Sequence, residues 1–250
     1  SDLGLSLDAL QISKAVSGFQ NMNGKDSEVR DLLEVLYDKC FKGKDKDIEW
    51  DLDTLAIAIY GLKNMSADCH EATKLLSIFS ERLDHIESPM TAIQISKIMF
   101  SLKEQTCANP ATRRIVGLLG ERVGSVDLDG QAVANCLYGL QNMSCGDAEV
   151  KEFLRQLCDN IDSSTTVTMS PQDIGNALYG LKSMTCEDED VRRLISILCD
   201  AIVMNKQSFD SQSLSSCFVG LRGCHEKHVE VADILALLRK KLEGFKGSFT

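Results

Sequence analysis

Apolar and polar positions along the chain recur in a sixfold pattern. "NALYGLKSM" at 176–184, "NCLYGLQNM" at 135–143 and "IAIYGLKNM" at 57–65 repeat one another about forty residues apart. With the glycine of "YGL" as reference, equivalents fall at Gly18, Gly61, Ser101, Gly139, Gly180 and Gly220, in steps of 38 to 43 residues. A period in this range marks a solenoid, whose units are too small to bury an apolar face alone and must stack on their neighbours.

Ten residues before each reference position stand Asp8, Asp51, Thr91, Asp129, Ser170 and Asp210. Their short side-chain oxygens suit a helix N-cap, where one accepts a free backbone N–H. Leu7, Trp50, Met90, Leu128, Met169 and Phe209 precede the caps, and Ile12, Leu55, Ile95, Val133, Ile174 and Leu214 follow four residues after them. That is the spacing of a hydrophobic staple. A second cap column, Asp26, Cys69, Asn109, Asp147, Asp188 and His228, leads into apolar residues at helical spacing, such as Val191, Leu194, Ile195 and Leu198. Each unit reads as a helix-turn-helix. The expected fold is therefore all-α: a single α-solenoid of about six repeats of 38–43 residues, over approximately 7–49, 50–89, 90–127, 128–168, 169–208 and 209–245. Units three and six diverge most. The reference glycine costs a helix about 1 kcal/mol relative to alanine, so it is expected to serve a close helix approach or the helix end.

Charge narrows the partners. The net charge of −10 disfavours non-specific attraction to polyphosphate. No apolar run approaches the roughly 20 residues that span a bilayer, so no membrane partner is expected. Internal disorder is expected only at "KGKDKD", 42–47.

The ten cysteines fall in repeat columns. Cys136 and Cys217 share a column with Ala15, Ala58 and Ala177, which reads as a site for small side chains between helices. Cys158 and Cys199 are equivalent, as are Cys107, Cys145 and Cys186. Equivalent residues one helix-stacking distance apart, roughly 9 to 10 Å, exceed the roughly 7 Å reach of a disulfide. The expectation is free thiols in an intracellular, reducing compartment.

"CHEKH", Cys224 to His228, is the one dense run of metal-ligand types, but it lacks the paired spacing of a zinc site and reads as a polar turn, so no metal is expected. "EDED" at 187–190 opens a second helix, where carboxylates complement the helix dipole. No nucleophile elbow, P-loop or dinucleotide fingerprint occurs. The chain is expected to be no enzyme and to need no cofactor.

Two residues after the reference come Gln20, Lys63, Lys103, Gln141, Lys182 and Arg222, a long polar donor in every unit. If exposed, they form a ladder able to meet RNA phosphates and base edges or the carboxylates of a protein segment. Lys14, Ile57, Lys97, Asn135, Asn176 and Ser216 lie six residues earlier, a helical turn of about 240° away, so the two columns are not expected to line one groove. The column Ser17, Tyr60, Phe100, Tyr138, Tyr179 and Val219 reads either as core or as stacking platforms for bases.

At "NALYGL" and "NCLYGL" the chain resembles the octotricopeptide-repeat family and the related repeats of RAP-associated and FAST-kinase-like proteins. The resemblance implies an α-solenoid that handles organellar RNA in mitochondria or plastids. The chain has no "PPPEW"-like stretch and no RAP segment, so the fold is carried over and not a site.

The functional expectation is a non-enzymatic scaffold that binds an extended protein segment or neighbouring subunits of a larger assembly. The alternative is an organellar protein reading single-stranded RNA along the donor ladder. Neither end carries a polar capping unit, so a longer array, or end units docked on a partner, is expected.

Overall fold

The computed structural model describes residues 7–42, 48–163 and 167–247; the "KGKDKD" stretch lies almost wholly outside them. Twelve helices and no strand occur among the described residues. They form six pairs: α1 (Ala9–Ser17) with α2 (Ser27–Cys40), α3 (Leu52–Gly61) with α4 (His70–Asp84), α5 (Ala92–Ser101) with α6 (Pro110–Val123), α7 (Gly130–Gly139) with α8 (Ala148–Ser163), α9 (Pro171–Gly180) with α10 (Glu189–Met204), and α11 (Ser211–Gly220) with α12 (Val229–Glu243). Each first helix packs on the first helix of the next unit and each second helix on the next second helix, giving a two-layer α-solenoid. One apolar core runs through it from Ile12 to Leu238.

The local signals act as written. All six first-column caps accept a hydrogen bond from the backbone N–H three residues on. Asp8, Asp51, Thr91 and Ser170 form reciprocal capping boxes with Gln11, Thr54, Gln94 and Asp173. The staple residues behind them are buried from Met90 onward, and Ile12, Leu55, Ile95, Val133, Ile174 and Leu214 are buried in every unit. The second cap column is weaker. Asn109 and Asp188 accept from backbone N–H groups, whereas Asp26, Cys69 and His228 make no such bond.

The reference glycine serves close approach. A Cβ on Gly61, Gly139, Gly180 or Gly220 would collide with the carbonyl of Val16, Met99, Leu137 or Leu178 respectively, each two residues before the reference position of the preceding unit. First helices thus meet backbone to backbone. In unit three the reference is Ser101, which carries a Cβ, and the small-residue column holds Ile98. There α5 must stand further from α3.

The cysteine expectation needs a correction. Cys186 and Cys224 form a disulfide, with Cα atoms 5.0 Å apart. The two are not equivalent: Cys186 sits six residues after its reference glycine and Cys224 four after its own. Adjacent turns are offset along the array, so this diagonal pair is brought together although equivalent positions are not. Gly24 shows the same diagonal, lying against Met65 of the next unit. The compartment argument built on ten free thiols therefore no longer stands as stated, although Cys69, Cys107, Cys136, Cys145, Cys158, Cys199 and Cys217 are free. No described helix is long and apolar enough to cross a membrane.

Candidate binding face

The first helices end at or one residue before the reference position, and eight or nine residues, opening on a turn, lead to the second helix. Carbonyls in that turn have no helical partner, and side chains of the following unit supply one. Asn64 donates to the Gln20 carbonyl at 2.8 Å, Gln141 and Asn142 to the Lys103 carbonyl at 2.9 and 2.8 Å, Ser183 to the Gln141 carbonyl at 2.7 Å, and Arg222 to the Lys182 carbonyl at 2.8 Å. Lys182 Nζ donates to Gln141 Oε1 at 2.9 Å. Of the donor column Gln20, Lys63, Lys103, Gln141, Lys182 and Arg222, three side chains, Gln141, Lys182 and Arg222, are thus drawn into a seam that closes the junctions, and Gln20 and Lys103 join it through their carbonyls. Gln141 is buried, and of the six only Arg222 is exposed.

The aromatic column is neither core nor a set of open platforms. Tyr60, Phe100, Tyr138 and Tyr179 are half-buried and stack in series, with centroids 6.4, 5.6 and 5.6 Å apart. The widest gap spans the Ser101 junction. Burial beside Tyr179 and Glu104 raises the Tyr138 phenol above its ordinary value, so it stays neutral.

Two polar columns converge on this stack, contrary to the expectation from helical geometry. Lys63 Nζ lies 4.2 Å and Lys97 Nζ 5.1 Å from the centroid of the same Tyr60 ring. Lys63 also donates to the Tyr60 hydroxyl at 2.9 Å. Lys103 and Lys182 lie over Phe100 and Tyr179 at 5.6 and 4.2 Å. The angle of about 240° presumes an unbroken helix. The later column lies beyond the helix end, where the turn swings it back over the rings.

Between α5 and α7, bordered by Tyr60 of α3, a groove of about 900 Å³ opens on the first-helix face. Tyr60, Phe100, Ile93 and Ala92 give it apolar wall, and Lys97, Asp127 and Asp129 line it with charge of both signs. Ile93 is 77% exposed. Its column otherwise reads Leu10, Asp53, Gln131, Gln172 and Gln212. An isoleucine in a mainly polar column was the sequence signal for this site.

Chemistry elsewhere is quiet. Burial pushes the thiols of Cys107, Cys158, Cys199 and Cys217 up to about 12, and that of Cys136 further, so all remain protonated. Among the described residues no group of three His, Cys, Asp or Glu side chains could hold a metal ion. In "CHEKH", Cys224 is oxidised and His228 Nε2 lies 3.4 Å from Glu187, which also pairs with Lys227. In "EDED", Asp190 is buried against Arg193 rather than solvated.

Comparison with protein-family models, with curated proteins and with solved structures returned no match.

Proposed function

We propose that the chain is a non-enzymatic helical-repeat scaffold whose first-helix face takes an extended protein segment. The observation that carries this reading is the groove at units two to four, which exposed Ile93 lines together with Phe100, Tyr60, Lys97 and Asp127. An apolar surface of that kind with charges of both signs fits a segment with an apolar anchor, an acidic residue toward Lys97 and a basic one toward Asp127. The solenoid supplies a rigid support, so little is lost on ordering the receptor.

The row Lys63, Lys97, Lys103 and Lys182 favours a second reading, organellar single-stranded RNA, with the mitochondrial or plastid setting that the repeat resemblance implies. Two features weigh against it. Neighbouring rings occupy one another's faces, leaving no gap for a base, and three of the six expected donors, Gln141, Lys182 and Arg222, already bond a neighbouring unit or its backbone.

A displayed random-peptide library selected on the chain, beside fluorescence anisotropy with a random-sequence RNA, separates the readings. The peptide reading expects enriched segments of the stated pattern whose binding is lost in Ile93→Asp. Salt-sensitive RNA binding that falls when Lys63, Lys97, Lys103 and Lys182 become alanine, with no peptide enriched, would establish the second reading instead.

A further inference from the structure

The groove runs on to two helices that present side-chain amides. Gln131 and Asn135 of α7 line it and stand one helical turn apart. Gln172 and Asn176 occupy the equivalent positions on α9, which packs directly on α7. The glutamines are exposed and the asparagines half-buried, each asparagine one turn before a ring of the aromatic row, Tyr138 or Tyr179. Both helices are internal to the array: α5 packs on the far side of α7, and α11 on the far side of α9.

These four amides stand apart from the others on the array. Asn64, Gln94, Gln105, Gln141, Asn142 and Asn160 each donate to the preceding unit. Gln131, Asn135, Gln172 and Asn176 make no hydrogen bond among the described residues. Asparagine is a poorer helix former than alanine, because its short amide competes for backbone groups. At two equivalent positions inside α7 and α9 it therefore costs helix stability, and no bond within the chain offsets the cost.

A side-chain amide carries two N–H donors and a carbonyl acceptor. It can take both the carbonyl and the N–H of an extended chain, whose backbone groups are unpaired. A helical segment has already used those groups internally and offers an amide nothing but side chains. We propose, resting on the protein-segment reading above, that Asn135 and Asn176 hold the main chain of that segment, which lies extended across α7 and α9 with its apolar anchor at Ile93. Anchor and charge select which segment binds: Lys97 and Asp127 enter no ion pair among the described residues and accept opposite charges from it. The asparagines select its conformation.

Peptides enriched from a displayed random linear library on the wild-type chain, labelled for fluorescence anisotropy, test the proposal. Asn135→Ala and Asn176→Ala are each expected to weaken their binding about three- to tenfold and to melt no lower than wild type. In a scan that replaces each peptide amide in turn with an ester, deleting one N–H, a sensitive position is expected near the anchor; its ester weakens binding to wild type and has little further effect in an asparagine variant. Peptides that need Ile93 but bind both asparagine variants as tightly as wild type would overturn this assignment and leave the scaffold reading standing. Ester effects that add in full to those of the variants, or a melting temperature that falls with the affinity, would do the same. A library that enriches nothing would overturn both.

Discussion

Lys182 Nζ donates to Gln141 Oε1 at 2.9 Å across a unit boundary, while Gln141 Nε2 donates onward to the Lys103 carbonyl at 2.9 Å. Two side chains of one repeat column thereby hold three successive units. Gln141 is buried, so Gln141→Ala is expected to cost about 1–3 kcal/mol by stranding polar partners. Arg222→Ala, at an exposed rung, is expected to cost about 1 kcal/mol or less. Urea denaturation of the two variants measures the difference.

Glycine at the reference position is a packing requirement, and its loss should depend on whether a neighbour is present. Gly139→Ala drives a methyl into the Met99 carbonyl and is expected to destabilise by about 3 kcal/mol or more, because backbone rather than a pliable side chain must move. Gly18→Ala is expected to be neutral or stabilising by up to about 1 kcal/mol. Thermal unfolding of the two single variants checks the contrast.

The Cys186–Cys224 bridge closes a sequence separation of 38 residues and ties unit six to unit five. Chain-entropy arguments give such a loop about 4 kcal/mol. Cys224→Ser is expected to raise amide exchange selectively in α11 and α12, leaving α3 to α8 protected, since each repeat leans only on its neighbours.

Thiol reactivity should report unfolding rather than surface chemistry. Burial raises the thiols of Cys107, Cys158 and Cys217 to about 12, so at pH 8 almost none is ionised. A chromogenic disulfide reagent at that pH is expected to leave these three unmodified in the native chain and to titrate them once denaturant is added.

Acid should loosen the helix starts. Hydrogen bonds from Thr54 and from Ser213 hold the Asp51 and Asp210 carboxyls below the ordinary carboxylate value. A carboxyl whose folded value is depressed contributes stability above its unfolded value, and that contribution is lost as pH falls through the folded one. The melting temperature is therefore expected to fall below about pH 4, and less steeply in Asp51→Ser, which caps without a titrating group. Thermal scans across the acid range provide the check.

Much of this architecture was legible in the chain because it rests on short-range rules. A cap and its staple lie within six residues, and the period exposes every column by comparison with itself. The groove was harder to read. It needed Ile93 to be seen as a departure with a spatial consequence, and the consequence depends on how α5 and α7 stand beside each other.

The amino-acid sequence by itself determined the twelve helices, their pairing into six units and the glycine seam, since these follow from local hydrogen bonding and from apolar faces too small to stand alone. Only the tertiary structure decided that Cys186 meets Cys224, that Lys63 and Lys97 share one ring, and that the donor column closes junctions. Each of these depends on the offset between neighbouring units and on where a helix stops, and a column of equivalent residues carries no record of which non-equivalent residue it will touch.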